Sequence, residues 1–596
     1  MMRKAVLLKF FILMMPFVVS PVLGQTHGIS MHGQPALAAS APFSYTDPRP
    51  ITGGEIHFAK LGSFDSLNPF IIRGQTPYGL REHVYESLLA QHFDEPFALY
   101  GLLAESVSTS DDRSQVTFKL NKRAAFSDGH PVTVEDVVFS FETLRDKGRP
   151  NHRYYYGKVV NHKTDGERSI TFIFDREEQD YEMPLIMGLM PILPKHVFAG
   201  QDFSKTSLDR PLGSGPYVVA DVVPGKKITY EKNPDYWGQS LPVNQGRHNI
   251  KLLHYDYYRD ENAAFEAFKS GLVDVWEETN PIRWTRGYNF PAARDGRIIK
   301  ENIQTGTPSG LNGFAFNTRR AVFQDQNVRK ALANLFNFEW ANKTLYAGAY
   351  TRTHSYFQKS DLSSYNQAAS AEEKKLLRKS GLPNSLIDSG YKAPDGDPSG
   401  RNRAARAESI TLLKAAGYEI LNGQMINART KAPLTFEIIV QSRKNERLAM
   451  AYKQMLSRIG VMVSVRFIDS AQYQNRLQAF DYDMMVYNWY ASLSPGNEQA
   501  FYWGSEAAGQ NGSRNYPGIQ DKHIDAAINQ MTRARTRRDF ATAARALDRL
   551  LMGGDYVVPL FHQPTQWVAR WHQVEHSWRH ALYGAKFDSW WINPDN

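Results

Sequence analysis

The sequence predicts a mixed α/β protein built as two large lobes. Three observations carry that prediction. The chain has 596 residues, more than one hydrophobic core holds, since single cores stop growing at roughly 250–300 residues. Strand-type alternation and helix-type spacing of apolar residues follow one another along the chain without a fixed repeat. Beyond the N-terminus no apolar run approaches the ~20 residues that a membrane-spanning helix needs, so the bulk of the chain is expected to fold in water.

The N-terminus reads as an export signal. Arg3, Lys4 and Lys9 make a basic start, Phe10 to Val19 is an apolar run broken by Pro16, and Val22-Leu23-Gly24 is a small-residue exit before Gln25. Residues 1–24 are therefore expected to be a cleaved signal peptide, with Ala36-Leu37-Ala38 as an alternative cleavage site. Residues 25–52 have no periodicity and are expected to be a flexible segment.

The elements follow in order. Val116, Phe118 and Leu120 alternate with polar residues, as do Ile170, Phe172 and Phe174, which predicts two half-buried strands. Between them Thr133-Val134-Glu135-Asp136 opens a helix: the threonine caps the first turn and two acids sit where the helix dipole favours them. Val328, Leu332, Leu335 and Phe336 mark one face of a later helix, and Leu412 and Leu413 end another before Gly417. Arg447 to Arg458 reads as a helix stopped at Gly460, after which Val461, Val463 and Val465 continue as a strand. Phe540 to Met552 is a helix closed by Gly553-Gly554, and Tyr391 to Arg406, rich in Gly, Pro, Asp and Arg, is a surface loop.

Composition narrows the function. Formal net charge is +9, three of those charges belong to the export signal, and the acids are spread throughout, which argues against a nucleic-acid partner. There is no cysteine, so thiolate catalysis, cysteine-ligated zinc, disulfides and a cysteine-linked lipid anchor are excluded. Hydrolase motifs are missing: there is no G-x-S-x-G, H-E-x-x-H or P-loop, and the S-x-x-K at Ser389 and Lys392 falls in a loop. Asp395, Asp397 and Ser399 imitate half a calcium loop, but its twelfth position is Arg406 instead of a bidentate glutamate. The 17 histidines are scattered, and neither a metal site nor a cofactor is expected.

A set of segments in fixed order carries more. These are Gly62 to Pro69 (GSFDSLNP), Phe126 to Ser140 (FSDGHPVTVEDVVFS), Gly213-Ser214-Gly215-Pro216-Tyr217, Asn233-Pro234-Asp235-Tyr236-Trp237-Gly238, Gly271-Leu272-Val273-Asp274-Val275, Phe314-Ala315-Phe316-Asn317-Thr318, Leu412 to Tyr418 (LLKAAGY) and Phe480 to Met485 (FDYDMM). Together they resemble the family 5 extracellular solute-binding proteins, the dipeptide- and oligopeptide-binding receptors of ABC importers. Ser492 to Gln499 (SLSPGNEQ) looks like the YejA branch of that family. The resemblance runs from about Gly53 to the C-terminus.

The resemblance implies a two-lobe periplasmic binding protein fold of the cluster C type, with the ligand cleft between the lobes. Lobe I is expected over 53–310, with an extra subdomain at 78–210; lobe II over 311–561; and a C-terminal return to lobe I over 562–596. Crossing segments near Gly313–Thr318 and Phe561–Thr565 are expected to form the hinge. The implied function is a monomeric periplasmic receptor, not lipid-anchored, that binds oligopeptides or peptide-containing compounds such as murein peptides or peptide antibiotics. It would pass them to inner-membrane permease subunits without chemistry or cofactor. An exported peptide or cell-wall-fragment hydrolase is the alternative.

The resemblance also points to site residues. Phe64, Asp65, Leu67 and Asn68 lie in the family's first ligand-facing loop, and Asn488, Trp489 and Tyr490 end a strand that pairs with extended peptides in relatives. Glu277 is a spare acid on lobe I. In many relatives an aspartate three residues after the tryptophan holds the ligand's amino group. Here that position is Ser492, a hydroxyl with no charge to offer.

Overall fold

The structure, a computed structural model of the chain, describes residues 26–177 and 180–595. The expected signal peptide, residues 1–24, and Gln25 lie outside the described residues. Two sheets organise two lobes. The first has seven strands in the order Ile298–Ile303, Gln566–Trp571, Val275–Glu278, Glu55–Leu61, Leu252–Tyr258, Lys227–Lys232 and Tyr217–Val223. The second has five, in the order Met462–Phe467, Thr435–Val440, Met484–Trp489, Leu311–Phe316 and Val557–Pro559.

In the second lobe the strand Thr435–Val440 runs parallel to both Met462–Phe467 and Met484–Trp489. Parallel neighbours need crossovers, and the helices Arg443–Ser457 and Ser470–Gln478 supply them. Residues on alternate positions of Met484–Trp489 enter different cores. Met485 and Trp489 pack with the helices Lys522–Thr532 and Arg537–Gly553, while Met484 and Val486 pack with Arg443–Ser457 and Gln326–Asn334.

Residues 104–174 form a separate four-stranded antiparallel sheet, in which Gln115–Leu120 pairs with Ser169–Phe174. The helix Val134–Lys147 lies across it, with Phe141 against Phe172 at a ring-centroid distance of 5.4 Å. Thr133 caps that helix reciprocally: Asp136 N–H donates to its hydroxyl, and the Asp136 carboxylate accepts from the Thr133 N–H at 2.9 Å.

The flexible segment expected at 25–52 is, from Thr26 on, part of the fold. Thr26 N–H donates to Val107 O at 2.9 Å, Gly28–Ser30 pairs with Ala98–Gly101, and Phe43 and Tyr45 are buried. The segment has no period of its own because it borrows a strand edge and a core from elements far along the chain.

The expected hinge needs a second correction. Leu311–Phe316 is bracketed on both sides, by Met484–Trp489 and Val557–Pro559, so Gly313–Thr318 begins inside a clamped central strand. The first crossing lies just before it, at residues 304–310, and the return crossing at residues 563–565. Gly310 ends the first crossing at φ +68°, and a Cβ there would stand 2.3 Å from the Trp489 carbonyl oxygen, so both conformation and space require glycine.

Two of the motifs pack against one short segment, residues 83–86. Trp237 Nε1–H donates to Glu86 Oε2 at 2.9 Å, and the Tyr236 hydroxyl donates to Glu86 Oε1. Gly213 and Gly215 lie against the carbonyls of Val84 and His83, where a Cβ would approach to 2.0 and 2.3 Å. Both glycines have ordinary negative φ, so close approach, not turn conformation, is what requires them.

Candidate ligand cleft

Open α/β sheets bind ligands outside the carboxyl ends of their strands. Here those ends converge on a cavity of about 520 Å³ between the lobes. From lobe II it takes Gln441, directly after Thr435–Val440, and Asn488 and Tyr490 at the end of Met484–Trp489. Lys444 and Asn445 enter from the first turn of the helix Arg443–Ser457, whose cap Ser442 accepts from Asn445 N–H at 3.2 Å. Lobe I contributes Thr279, the residue after Val275–Glu278. A larger cavity, about 640 Å³, lies between the N-terminal segment and Arg535, away from the strand ends.

The cleft is basic and amide-rich. Burial holds the Lys444 ammonium below the ordinary lysine range, with Glu261 of lobe I pulling the other way. Lys359, which donates to Thr305 Oγ1 at 2.9 Å across the first crossing, is likewise lowered by burial. His562 lines the cavity, and burial pushes its imidazole down to about 4, leaving it neutral in neutral solution. Among the described residues neither Lys444 nor Lys359 has a carboxylate within 4.0 Å. An anionic ligand group entering here would meet the partly desolvated Lys444 ammonium and the amides of Asn312, Asn445 and Asn488.

The residues named from sequence divide into two groups. Asn488 and Tyr490 line the cavity, and the Tyr490 side chain is 78% exposed. Glu277 lies two residues before Thr279 on the lobe I wall, where its carboxylate accepts from Gln566 Nε2 at 3.3 Å. Ser492 is exposed but turned to local use, its hydroxyl accepting from Ser494 N–H at 3.2 Å.

The others hold the fold. Trp489, expected on the cleft wall, is 2% exposed and packs on Trp503 at 5.1 Å and Tyr487 at 5.0 Å. The pleat explains the correction: Asn488 and Tyr490 point away from the core that takes Trp489. Phe64 and Leu67 are buried, Phe64 against Tyr257 at 5.1 Å. Asp65 accepts from Gln75 N–H at 2.6 Å, and the Asn68 amide donates to Phe203 O at 2.9 Å. The loop is thus pinned by its own polar residues.

Sequence reasoning missed Asn312, Gln441, Lys444, Asn445, Tyr350 and Gln563, all on the cavity wall. A signal for three of them was present. A strand ending at Val440 and followed at once by the cap Ser442 marks the strand-to-helix turn where such folds bind.

Two lobes around a cleft at the strand ends define a solute-binding protein. The comparisons agree, and the chain belongs to the bacterial extracellular solute-binding proteins, family 5, whose model matches residues 98–511. It is 40% identical over 583 residues to the peptidoglycan-binding protein YepA of Agrobacterium fabrum, covering 95% of this chain and 94% of that one. It is 39% identical over 561 residues to the probable peptide-binding protein YejA of the same organism, covering 92% and 91%. The fold is similar to the oligopeptide-binding protein AppA of Bacillus subtilis, solved with a nonapeptide, with a TM-score of 0.63 at 17% identity over 91% of this chain and all of that one. The relatives are binding proteins, which leaves the hydrolase reading without support.

Proposed function

We propose that this chain is the exported, monomeric receptor of an ABC importer for a peptide or peptide-containing compound that carries a carboxylate. It works by closure around the ligand, without catalysis. The observation that carries the reading is the cleft wall: Lys444 and the amides of Asn312, Asn445 and Asn488 line one cavity between the lobes. Asn488, Tyr490 and Thr279 are the proposed contacts from the two sides, with Glu277, Asp65 and Ser492 at the margins. The edge of the ligand backbone can pair with strand ends while side-chain pockets set preference.

Murein peptides are the first class to try. They combine peptide backbone with several carboxylates, and a 40%-identical relative is named for peptidoglycan binding. Among the described residues no helix is long and apolar enough to cross a membrane, which suits a receptor that hands its ligand to permease subunits in the inner membrane. Residues 78–210, which contain the four-stranded sheet, are the proposed extra subdomain. The test is mass spectrometry of the ligand that co-purifies, followed by calorimetry with murein peptides and with the same peptides amidated at their carboxylates. Free acids should bind at least ~tenfold tighter, a difference of about 1.4 kcal/mol, and Lys444→Met should erase the gap. Equal affinity for acids and amides would overturn the carboxylate reading.

A further inference from the structure

The histidines that are scattered in sequence are not scattered in space. His57 and His254 sit directly opposite each other on the parallel strands Glu55–Leu61 and Leu252–Tyr258, with their rings stacked at 4.3 Å. Glu55 lies on the same face, two residues before His57. One ligand-capable atom from each of the three falls within 4.8 Å of the others, and His254 Nε2 stands 3.3 Å from Glu55 Oε2.

We propose that Glu55, His57 and His254 form a binding site for a divalent transition metal of the zinc class, separate from the ligand cleft. Two imidazoles and one carboxylate suit zinc, nickel or copper, whereas calcium and magnesium require all-oxygen shells. The outer groups are placed as metal-ligating histidines require. His57 Nδ1 faces Asp256 Oδ2 at 3.1 Å, and His254 Nδ1 faces Thr229 Oγ1 at 3.0 Å. With its Nδ1–H donated to Thr229, His254 keeps the lone pair of Nε2, 3.3 Å from Glu55 Oε2, for a cation. The two ring planes stand 19° apart, so the His57 ring turns out of the stack to bring its own lone pair to the same ion.

The local charge also favours a cation. Glu55, Asp256 and Asp274 surround the pair, Asp274 accepting from His57 N–H at 2.6 Å, against one ammonium, Lys227. Adjacent sheet strands hold the ligands rigidly, so little order is lost on binding. None of the three residues lines the cleft cavity, and they lie toward the amino ends of strands parallel to Val275–Glu278, whose carboxyl end reaches it, so metal and transported ligand would bind without contact.

A second cluster, Asp128, His130 and His196, is more exposed. There both imidazoles already converge on one oxygen, Asp128 Oδ2, at 3.0 and 2.8 Å. It serves as the comparison.

The test uses the untagged chain, stripped of metal with a chelator and desalted. Zinc alone is titrated by calorimetry, and cobalt(II) alone by visible absorption, whose ligand-field bands report nitrogen and oxygen donors. One saturable zinc site is expected. His57→Gln with His254→Gln should weaken it at least tenfold and abolish the cobalt bands. Thr229→Val, which leaves every ligand in place, should weaken it by ~10–100-fold, and His130→Gln with His196→Gln should leave it unchanged. If the histidine double variant does not fold, Glu55→Gln and Thr229→Val carry the test. Absence of saturable zinc binding, or a site lost with His130 and His196 but kept without His57 and His254, would overturn the proposal.

Discussion

Glu182 of lobe I rests against Gly496 of lobe II: a Cβ built on Gly496 would stand 2.0 Å from Glu182 Oε1. Gly496 belongs to the Ser492–Gln499 segment, and its N–H donates to Glu498 Oε2 at 2.9 Å. Burial pushes the Glu182 carboxyl up to about 8, helped by the charges of Asp180 and Glu498 and opposed by Lys158. Tyr155, beside it, carries no charge at neutral pH. When the lobes part, this carboxyl returns to water and toward its ordinary value of 4.5. The form that keeps this contact binds the extra proton between about 4.5 and about 8, so the contact is favoured as pH falls through that window. Ligand affinity should tighten from pH 8 to pH 5.5, and Glu182→Gln should flatten the profile. Calorimetry at several pH values is the check; a Gln variant with an unchanged slope would refute it.

Glu86 gives a folding counterpart. Burial raises its carboxyl to about 7, although Tyr236 and Trp237 donate to it. A raised acid holds its proton longer in the folded state than in the unfolded one. Its contribution is therefore full below pH 4.5 and is lost as pH rises to about 7. The loss is on the order of 3 kcal/mol. Denaturant melts across that range should show stability falling, and Glu86→Gln should remove most of the slope.

Trp489→Ala should cost roughly 3–5 kcal/mol of stability, the usual range for a truncated core aromatic, because its ring is enclosed by Trp503 and Tyr487. Affinity measured well below the lowered melting temperature should change less than threefold. A large affinity loss with normal melting would return Trp489 to the cleft.

Ser492 bears on how the ligand is held. Loss of one partner from a buried ion pair costs about 3–5 kcal/mol, a factor of roughly one hundred to several thousand. Ser492 offers no charge and spends its hydroxyl on Ser494. Acetylating the amino terminus of a bound peptide should thus change affinity less than tenfold. Ser492→Asp should create a preference for the free amine. Titrations with matched free and acetylated peptides decide the matter, and a hundredfold loss on acetylation would mean that another acid holds the amine.

Local chemistry was the legible part of this chain. The alternation at Val116, Phe118 and Leu120, the Thr133 cap and the stop at Gly460 each depend on neighbours a few residues away. The family motifs led to the two-lobe fold as well. The cleft was legible only by half. Asn488 and Tyr490 reach it, but Trp489 between them does not, and an aromatic residue at a strand end does not announce whether it faces the core or the cleft. The order of residues 26–52 was illegible for another reason: Phe43 and Tyr45 are held by partners far along the chain, and a single sequence does not reveal such pairings.

The placement of the last long strand sets the timetable of biogenesis. Gln566–Trp571 is an interior strand of the first sheet, and Trp571 Nε1–H donates to Phe268 O from 303 residues away. A chain made from its N-terminus folds domains as they emerge. Lobe I, whose other strands lie between residues 55 and 303, cannot close its sheet until nearly the whole polypeptide is available. The first half would thus wait, unfinished, and a truncation of only the final thirty or so residues would disable the lobe that was made first.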